Sequence, residues 1–340
     1  MTERPTYLLH GLRVRSDLPL AAPTVAGAEC DIEVELGAEA GVPYTRPDGR
    51  VLAELRLPSG PTSAETEHTP GRAEARSGGS TCVRTQDGYV VRFFGVCDFR
   101  VSHDLRRVSA HPDPSRGWDF ASLLLTGSVL AFLLGLRGET TLHAAAASFG
   151  DQAIAVAGGP GAGKSTIAAC LCAAGADLVT DDLLRFDLSP EGVRCHTGAR
   201  ELRLRPGAVE LAGRLAEAKM TTHPDGRLAV ELPLTQGRPW LKAILVPRLS
   251  REARHVSLRR LEGAEAAAAV ALAPRVAGWL DRALLLRQFR DLVALARSVL
   301  VYEAEVPWRL PLSPAIAGEL LQAMATDPGL IERPFAEVCA

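Results

Sequence analysis

A chain of 340 residues, 47% of them hydrophobic and with a formal charge of −2, has the composition of a globular protein. It exceeds the roughly 250 to 300 residues at which a single core stops growing, so two domains are expected. Lysine and arginine are scattered with no basic stripe, which argues against nucleic acid as a partner, and seven cysteines without framework spacing read as reduced core thiols of a cytoplasmic protein.

The opening Met-Thr-Glu-Arg-Pro-Thr-Tyr lacks a basic-then-apolar export pattern. From Tyr7 to about Ser102, short alternating segments predict strands at Tyr7 to Val14, Cys30 to Leu36, Val51 to Leu57 and Cys82 to Arg84. Another, Tyr89 to Phe94, follows a Gln86-Asp87-Gly88 turn. They form a β-rich N-terminal domain over residues 1–110. Pro58 to Ser80 has no large apolar residue and predicts an exposed loop, and the polar run His111 to Gly117 marks a domain boundary. Phe120 to Leu136 is uncharged and reaches the short limit of a membrane span, but Thr126, Gly127 and Ser128 interrupt it. A buried core helix is expected, with no membrane partner.

The second domain, residues 118–340, opens with this helix and continues with a predicted strand at Thr141 to Ser148, a tight turn at Phe149-Gly150-Asp151 and a returning strand at Gln152 to Ala157. Gly158-Gly159-Pro160-Gly161-Ala162-Gly163-Lys164-Ser165 then completes a G-x-x-x-x-G-K-S phosphate-binding loop, and Thr166 to Ala174 predicts a helix stopped by Gly175. Backbone N–H groups of such a loop converge on an anion, and the N-terminal helix dipole adds positive potential there. A nucleoside triphosphate is the expected ligand, with Lys164 on the outer phosphates and Ser165 on a Mg²⁺ bridging them. A hairpin feeding the loop departs from the parallel crossovers of most P-loop proteins. Further strands are predicted at Leu202 to Leu204, Leu228 to Leu232, Leu241 to Val246 and Val299 to Val306. Helices are predicted at Gly263 to Ala273, Trp279 to Ser298 and Ser313 to Ala325.

Asp177-Leu-Val-Thr180 reads as a short strand ending in Asp181-Asp182. Carboxylates at a strand end beside a phosphate loop suit a metal ligand and an acceptor for a hydroxyl proton, although a solvated pair at a loop start has the same pattern. His143, before four alanines, is either a core histidine or a group that touches the transferred phosphate. Arg200, Arg203 and Arg205 flank Leu202 and Leu204, where one or more can clamp phosphate oxygens or simply face solvent.

Together, Leu142-His143-Ala144, Gly158 to Thr166 and Leu178-Val-Thr-Asp-Asp182 resemble the HPr kinase/phosphorylase C-terminal domain. The resemblance is greater to the HPr-kinase-like peptide serine kinases encoded beside lasso-peptide genes. It extends to Tyr7 to Leu20 and to Leu202-Arg-Leu-Arg-Pro206. It implies an α/β (α+β) fold related to phosphoenolpyruvate carboxykinase, a P-loop core in a mostly antiparallel or mixed sheet, and a smaller β-rich N-terminal domain. It also implies ATP and Mg²⁺, with Gly158 to Thr166, Arg203 and Arg205 around the nucleotide and Lys164 and His143 at the transferred phosphate. Asp181 would be the base, and Ser165 and Asp182 the metal ligands. The implied reaction is transfer of the γ-phosphoryl group to a serine of a small peptide or protein, such as a ribosomally made lasso-type precursor. The Glu/Arg signature that HPr docking and phosphorolysis use is missing. Two rivals stay open, a small-molecule sugar or alcohol kinase and a non-catalytic nucleotide-gated binding module, as does self-association into a homo-oligomer.

Overall fold

The computed structural model describes residues 4–56, 79–205, 208–213, 215, 219–223, 225–308 and 315–326. The loop expected between Pro58 and Ser80 therefore lies, up to residue 78, outside the described residues. The architecture is mixed α/β with three sheets.

Eight strands make the first sheet: β1 (Thr6–Leu9), β2 (Leu12–Ser16), β3 (Ile32–Leu36), β4 (Arg50–Arg56), β5 (Gly79–Arg84), β6 (Tyr89–Phe93), β7 (Cys97–Val101) and β8 (Arg107–Pro112). They lie in the order β1-β2-β3-β8-β7-β6-β5-β4, with β3 parallel to both β2 and β8. Period-two alternation sends Val14, Ile32, Val34, Val91, Phe99 and Val101 to one buried face. The same alternation carries β8 into the polar run expected as a boundary, because Val108, Ala110 and Pro112 all face inward.

Covering that face is the helix Trp118–Leu136, apolar and long enough to cross a membrane by length and composition. Here Leu125, Val129, Leu130 and Leu133 are fully buried and share one core with the sheet. Each such side chain contributes on the order of 2 kcal/mol of burial. The helix widens into a π-turn over Leu125–Val129, the stretch that contains Thr126-Gly127-Ser128. A second tie comes from the β1–β2 turn. His10 donates its N–H to the Thr197 carbonyl at 2.7 Å, and its own carbonyl accepts from Arg185 at 2.7 Å.

In the central sheet, Ala144–Phe149 and Gln152–Ala157 form the hairpin, in register from Ala144 opposite Ala157 to Phe149 opposite Gln152. Asp177–Thr180 joins one edge antiparallel, while Trp240–Ser250 and then Leu300–Pro307 add on the other side in parallel. Both faces are covered, which explains why the hairpin strands are buried along their length and carry small or apolar residues everywhere but at Gln152. Ala145, Ile154 and Val156 pack beneath the helix Lys164–Ala173 and the helix Ala315–Ala325. Ala144, Ala153 and Ala155 pack against the opposite helices, Gly263–Ala271 and Arg282–Ser298. Strands Leu184–Ser189, Gly192–Cys195 and Ser257–Leu261 enlarge this sheet beyond the sequence expectation. The third sheet is small: Glu201–Leu204 and Met220–Thr222 flank Leu228–Glu231, all antiparallel.

Candidate active site

The phosphate loop follows directly from the strand Gln152–Ala157 and ends at Lys164, the first residue of its helix. Gly161 and Gly163 adopt φ of 83° and 84°, a left-handed conformation in which a side chain would be strained, so the turn can fold back on itself only with glycine there. Lys164 Nζ donates to the Gly159 carbonyl at 2.9 Å. Its ammonium is largely buried, and burial pushes its pKa down from the ordinary value against the opposing pull of Asp182 and Asp181. Thr166 lies in the first turn of this helix, and Arg205 Nη2 reaches the loop, 3.8 Å from where a Gly161 Cβ would stand.

Asp181 and Asp182 close the strand Asp177–Thr180. In an extended chain their side chains would oppose each other, but Asp182 turns to φ 74°, a conformation that Asp tolerates better than most residues, and both carboxylates line one groove. Their surroundings differ. Asp181 Oδ1 accepts from the Ser165 hydroxyl at 2.8 Å, and Oδ2 accepts from the Arg203 backbone N–H at 3.0 Å. Asp182 is ringed by polar partners: His143 Nε2 is 3.1 Å from Oδ1, and the guanidinium atoms Arg275 Nη2 and Arg203 Nη2 are 2.7 and 3.2 Å from Oδ2. Burial alone would raise its carboxyl, but Arg275, His143 and Arg203 hold it well below the usual carboxylate range.

His143 stands at the break between Thr141–Leu142 and Ala144–Phe149, where its N–H bonds to Ala273 O instead of continuing a strand ladder. The break frees its ring toward Asp182. Arg203, on the strand Glu201–Leu204, projects from the face opposite buried Leu202 and Leu204. Arg200 does not join the cluster by any polar contact of its guanidinium found among the described residues. Its backbone instead ties Ala21 to Leu232.

Three participants have no motif to announce them. Arg275 lies between the helices Gly263–Ala271 and Arg282–Ser298, held by its N–H to Thr141 O at 3.0 Å and by a bond from Nη2 to Ser128 Oγ at 2.8 Å. Gly127 lets the π-turn approach so closely that a Cβ there would stand 2.9 Å from Asp182 Oδ2. π-Turns inside helices often mark functional sites. The signal available in the sequence was the Thr126-Gly127-Ser128 interruption of an otherwise apolar helix.

The fit to Mg²⁺ can be tested on the oxygens present. Two neighbouring ligands of an octahedral Mg²⁺ at about 2.0–2.1 Å lie about 2.9 Å apart, close to the 2.8 Å between Ser165 Oγ and Asp181 Oδ1. Asp182 fits less well, since its Oδ2 is engaged by two guanidinium groups that would repel a further cation and its Oδ1 is already paired with His143. Among the described residues no cluster of three or more His, Cys, Asp or Glu could hold a metal unaided. That suits Mg²⁺, which typically takes one or two protein oxygens and completes its shell with phosphate and water.

Beyond the aspartates runs an open groove of about 350 Å³. Its walls are Pro19 to Ala21 of the connection between β2 and β3, the helix from Asp119 to Gly127, and Glu201, Thr221, Thr222, His223 and Glu231 of the small sheet. The arrangement can therefore hold phosphates at one end and a second molecule at the other.

No family model matches the chain, and no curated protein does. Among solved structures, the HPr(Ser) kinase/phosphatase from Coxiella burnetii aligns at 10% identity over 50% of this chain and 87% of that one. The TM-score is 0.27, a likeness too slight to carry an argument about fold or chemistry.

Proposed function

We propose that the protein is an ATP- and Mg²⁺-dependent kinase that transfers the γ-phosphoryl group to a serine hydroxyl of a small peptide or protein, such as a ribosomally made precursor of the lasso type. One observation carries the reading: Ser165 of the phosphate loop meets Asp181, while Asp182, which makes no bond to the loop among the described residues, lines with Asp181 a groove that contains no loop residue. A switch protein needs the first carboxylate but has no use for the second. The ordered motif set, from His143 through the loop to Asp181-Asp182, adds support by resemblance.

In this reading the loop amides and Lys164 orient and stabilise the transferring phosphoryl group. Mg²⁺, when bound by Ser165 and Asp181, neutralises charge on the phosphates. The expected roles of the two aspartates are thereby exchanged. Asp181 shares its oxygen with the P-loop hydroxyl, and Asp182, held in place by Arg275 and Arg203, orients the acceptor hydroxyl. A carboxylate with so depressed a pKa is a weak base. The transfer is largely dissociative and needs the proton removed only late, and His143, 3.1 Å away, is positioned to share it.

The test is incubation with Mg-ATP and serine-containing peptides, read by intact-mass spectrometry, together with Mn²⁺ binding as a probe of the metal site. Wild type should add one phosphoryl mass to a peptide. Asp181→Asn should lose Mn²⁺ affinity, and Asp182→Asn should keep it while losing transfer. The opposite pattern would restore Asp181 as the base. Phosphate appearing only on a small alcohol would replace the peptide acceptor.

A further inference from the structure

We infer that the groove beyond Asp181 and Asp182 is an acceptor site selective for a cationic peptide, one bearing lysine or arginine close to its hydroxyl residue; the inference rests on the kinase reading for its location. Charge is divided across the site. At the nucleotide end stand Lys164 and Arg205, and Arg227 is near enough to act on Lys164 electrostatically. The groove end carries Asp119, Glu201 and Glu231 in addition to the two aspartates.

The positive groups on the groove side are few and already engaged. Arg203 and Arg275 are held by Asp182 at 3.2 and 2.7 Å. Lys219 meets Glu231 only at 3.6 Å and with its side chain 72% exposed, an interaction of small worth in water. With Arg275 behind Asp182 and Lys219 beside Glu231 counted together with Arg203, five lining carboxylates still face only three permanent cations, which leaves a negative potential there. A polyphosphate would be repelled by it, so the groove suits the acceptor and not a second part of the nucleotide.

Thr221 and Thr222 belong to Met220–Thr222, an outer strand of the small sheet that is exposed along its length. A short extended peptide can lie between this strand and the helix from Asp119 to Gly127, its hydroxyl toward Asp182 and its cationic side chains toward Glu201 and Glu231. Glu201, Glu231 and Asp119 then determine specificity and take no part in the transfer itself.

Binding and turnover are measured separately. Fluorescence anisotropy is read with labelled serine peptides of equal length, differing only in lysine, alanine or glutamate beside the serine. The lysine peptide should bind about tenfold tighter than the alanine peptide, the sum of two partly exposed ion pairs, and the glutamate peptide weakest. Added NaCl should narrow the spread. In the double variant Glu201→Gln, Glu231→Gln the preference should shrink to about twofold, and in Asp119→Asn by a smaller amount. Equal affinities, a preference for glutamate, or no peptide binding at all would overturn the inference, and none of these needs a mutant to fold. Mass gain tells the two readings apart. Cationic peptides that bind but never gain phosphate would remove the kinase and leave the groove, whereas phosphate transfer without charge preference would do the reverse.

Discussion

Gly158 to Thr166 build the phosphate half of the candidate site from one unbroken stretch of chain, whereas the Asp182 half is assembled from Gly127 and Ser128, His143, Arg203 and Arg275, brought together from four separate segments. The first half works mainly through backbone N–H groups and so depends on loop shape, with Lys164 and Ser165 its own side-chain chemistry and only Asp181 and Arg205 reaching it from elsewhere. The second works through side chains converging on one carboxylate, and its geometry is only as good as the docking of a helix, a strand break, a small sheet and a connecting loop. In the kinase reading, the phosphate-loop half should therefore resist changes elsewhere, and the Asp182 half, which would serve the acceptor, should feel them.

The strongest way to break this division is to cut each half once. Lys164→Ala should weaken ATP binding and turnover together. Asp182→Asn should lower kcat about a hundred- to a thousandfold while the Kd for ATP moves little, the pattern of an interaction made chiefly in the transition state. If Asp182→Asn loses ATP as completely as Lys164→Ala, the halves are one unit and the contrast fails.

A pH experiment sharpens it next. The His10 ring Nε2 lies 3.3 Å from the carbonyl of Thr126, within the π-turn that carries Gly127 and Ser128. Burial lowers its pKa from 6.5 to about 3, opposed by that hydrogen bond. The unfolded chain takes up this proton first as pH falls. The stabilising contribution is thus complete above about pH 6.5 and is lost progressively toward pH 3, with about 2 kcal/mol gone between pH 7 and pH 5. His10→Asn suits the left-handed φ of 52° and keeps the backbone bonds to Thr197 and Arg185. Urea unfolding of this variant should show a pH 7 to pH 5 loss smaller by about that amount. An unchanged loss would mean that His10 does not couple the N-terminal turn to the site.

What the sequence made legible follows the same line. The hairpin, the loop, its helix and the strand into Asp181-Asp182 are contiguous, and each is marked by period, glycine or charge. The convergence of Arg275 and Ser128 on Asp182 had no such mark, because contacts between residues 93 and 147 positions apart leave nothing in local spacing. The strands Leu184–Ser189 and Gly192–Cys195 escaped for a related reason. Their alternation is short and mixed with charge, and they become strands by pairing with each other and with Trp240. Thr126-Gly127-Ser128 was visible as an interruption, but its meaning was not: the helix gives up apolar continuity where Asp182 and Arg275 reach it.

Gly127→Ala is the smallest cut and separates local from assembled effects within one residue. By helix propensity alone alanine should stabilise the helix by up to about 1 kcal/mol. The new methyl, however, would stand 2.9 Å from Asp182 Oδ2 and 3.4 Å from Arg275 Nη2. The carboxylate cannot retreat without stretching its contacts to Arg275 and Arg203. A displacement of a few tenths of an ångström is enough to lower kcat by about tenfold, with Tm unchanged or slightly raised. The decisive comparison is the double variant with Asp182→Asn. If the methyl acts through that carboxylate, adding Gly127→Ala to Asp182→Asn should cost little more, since both remove the same positioned group. Losses that multiply independently would show that the π-turn serves the acceptor half by some route other than Asp182.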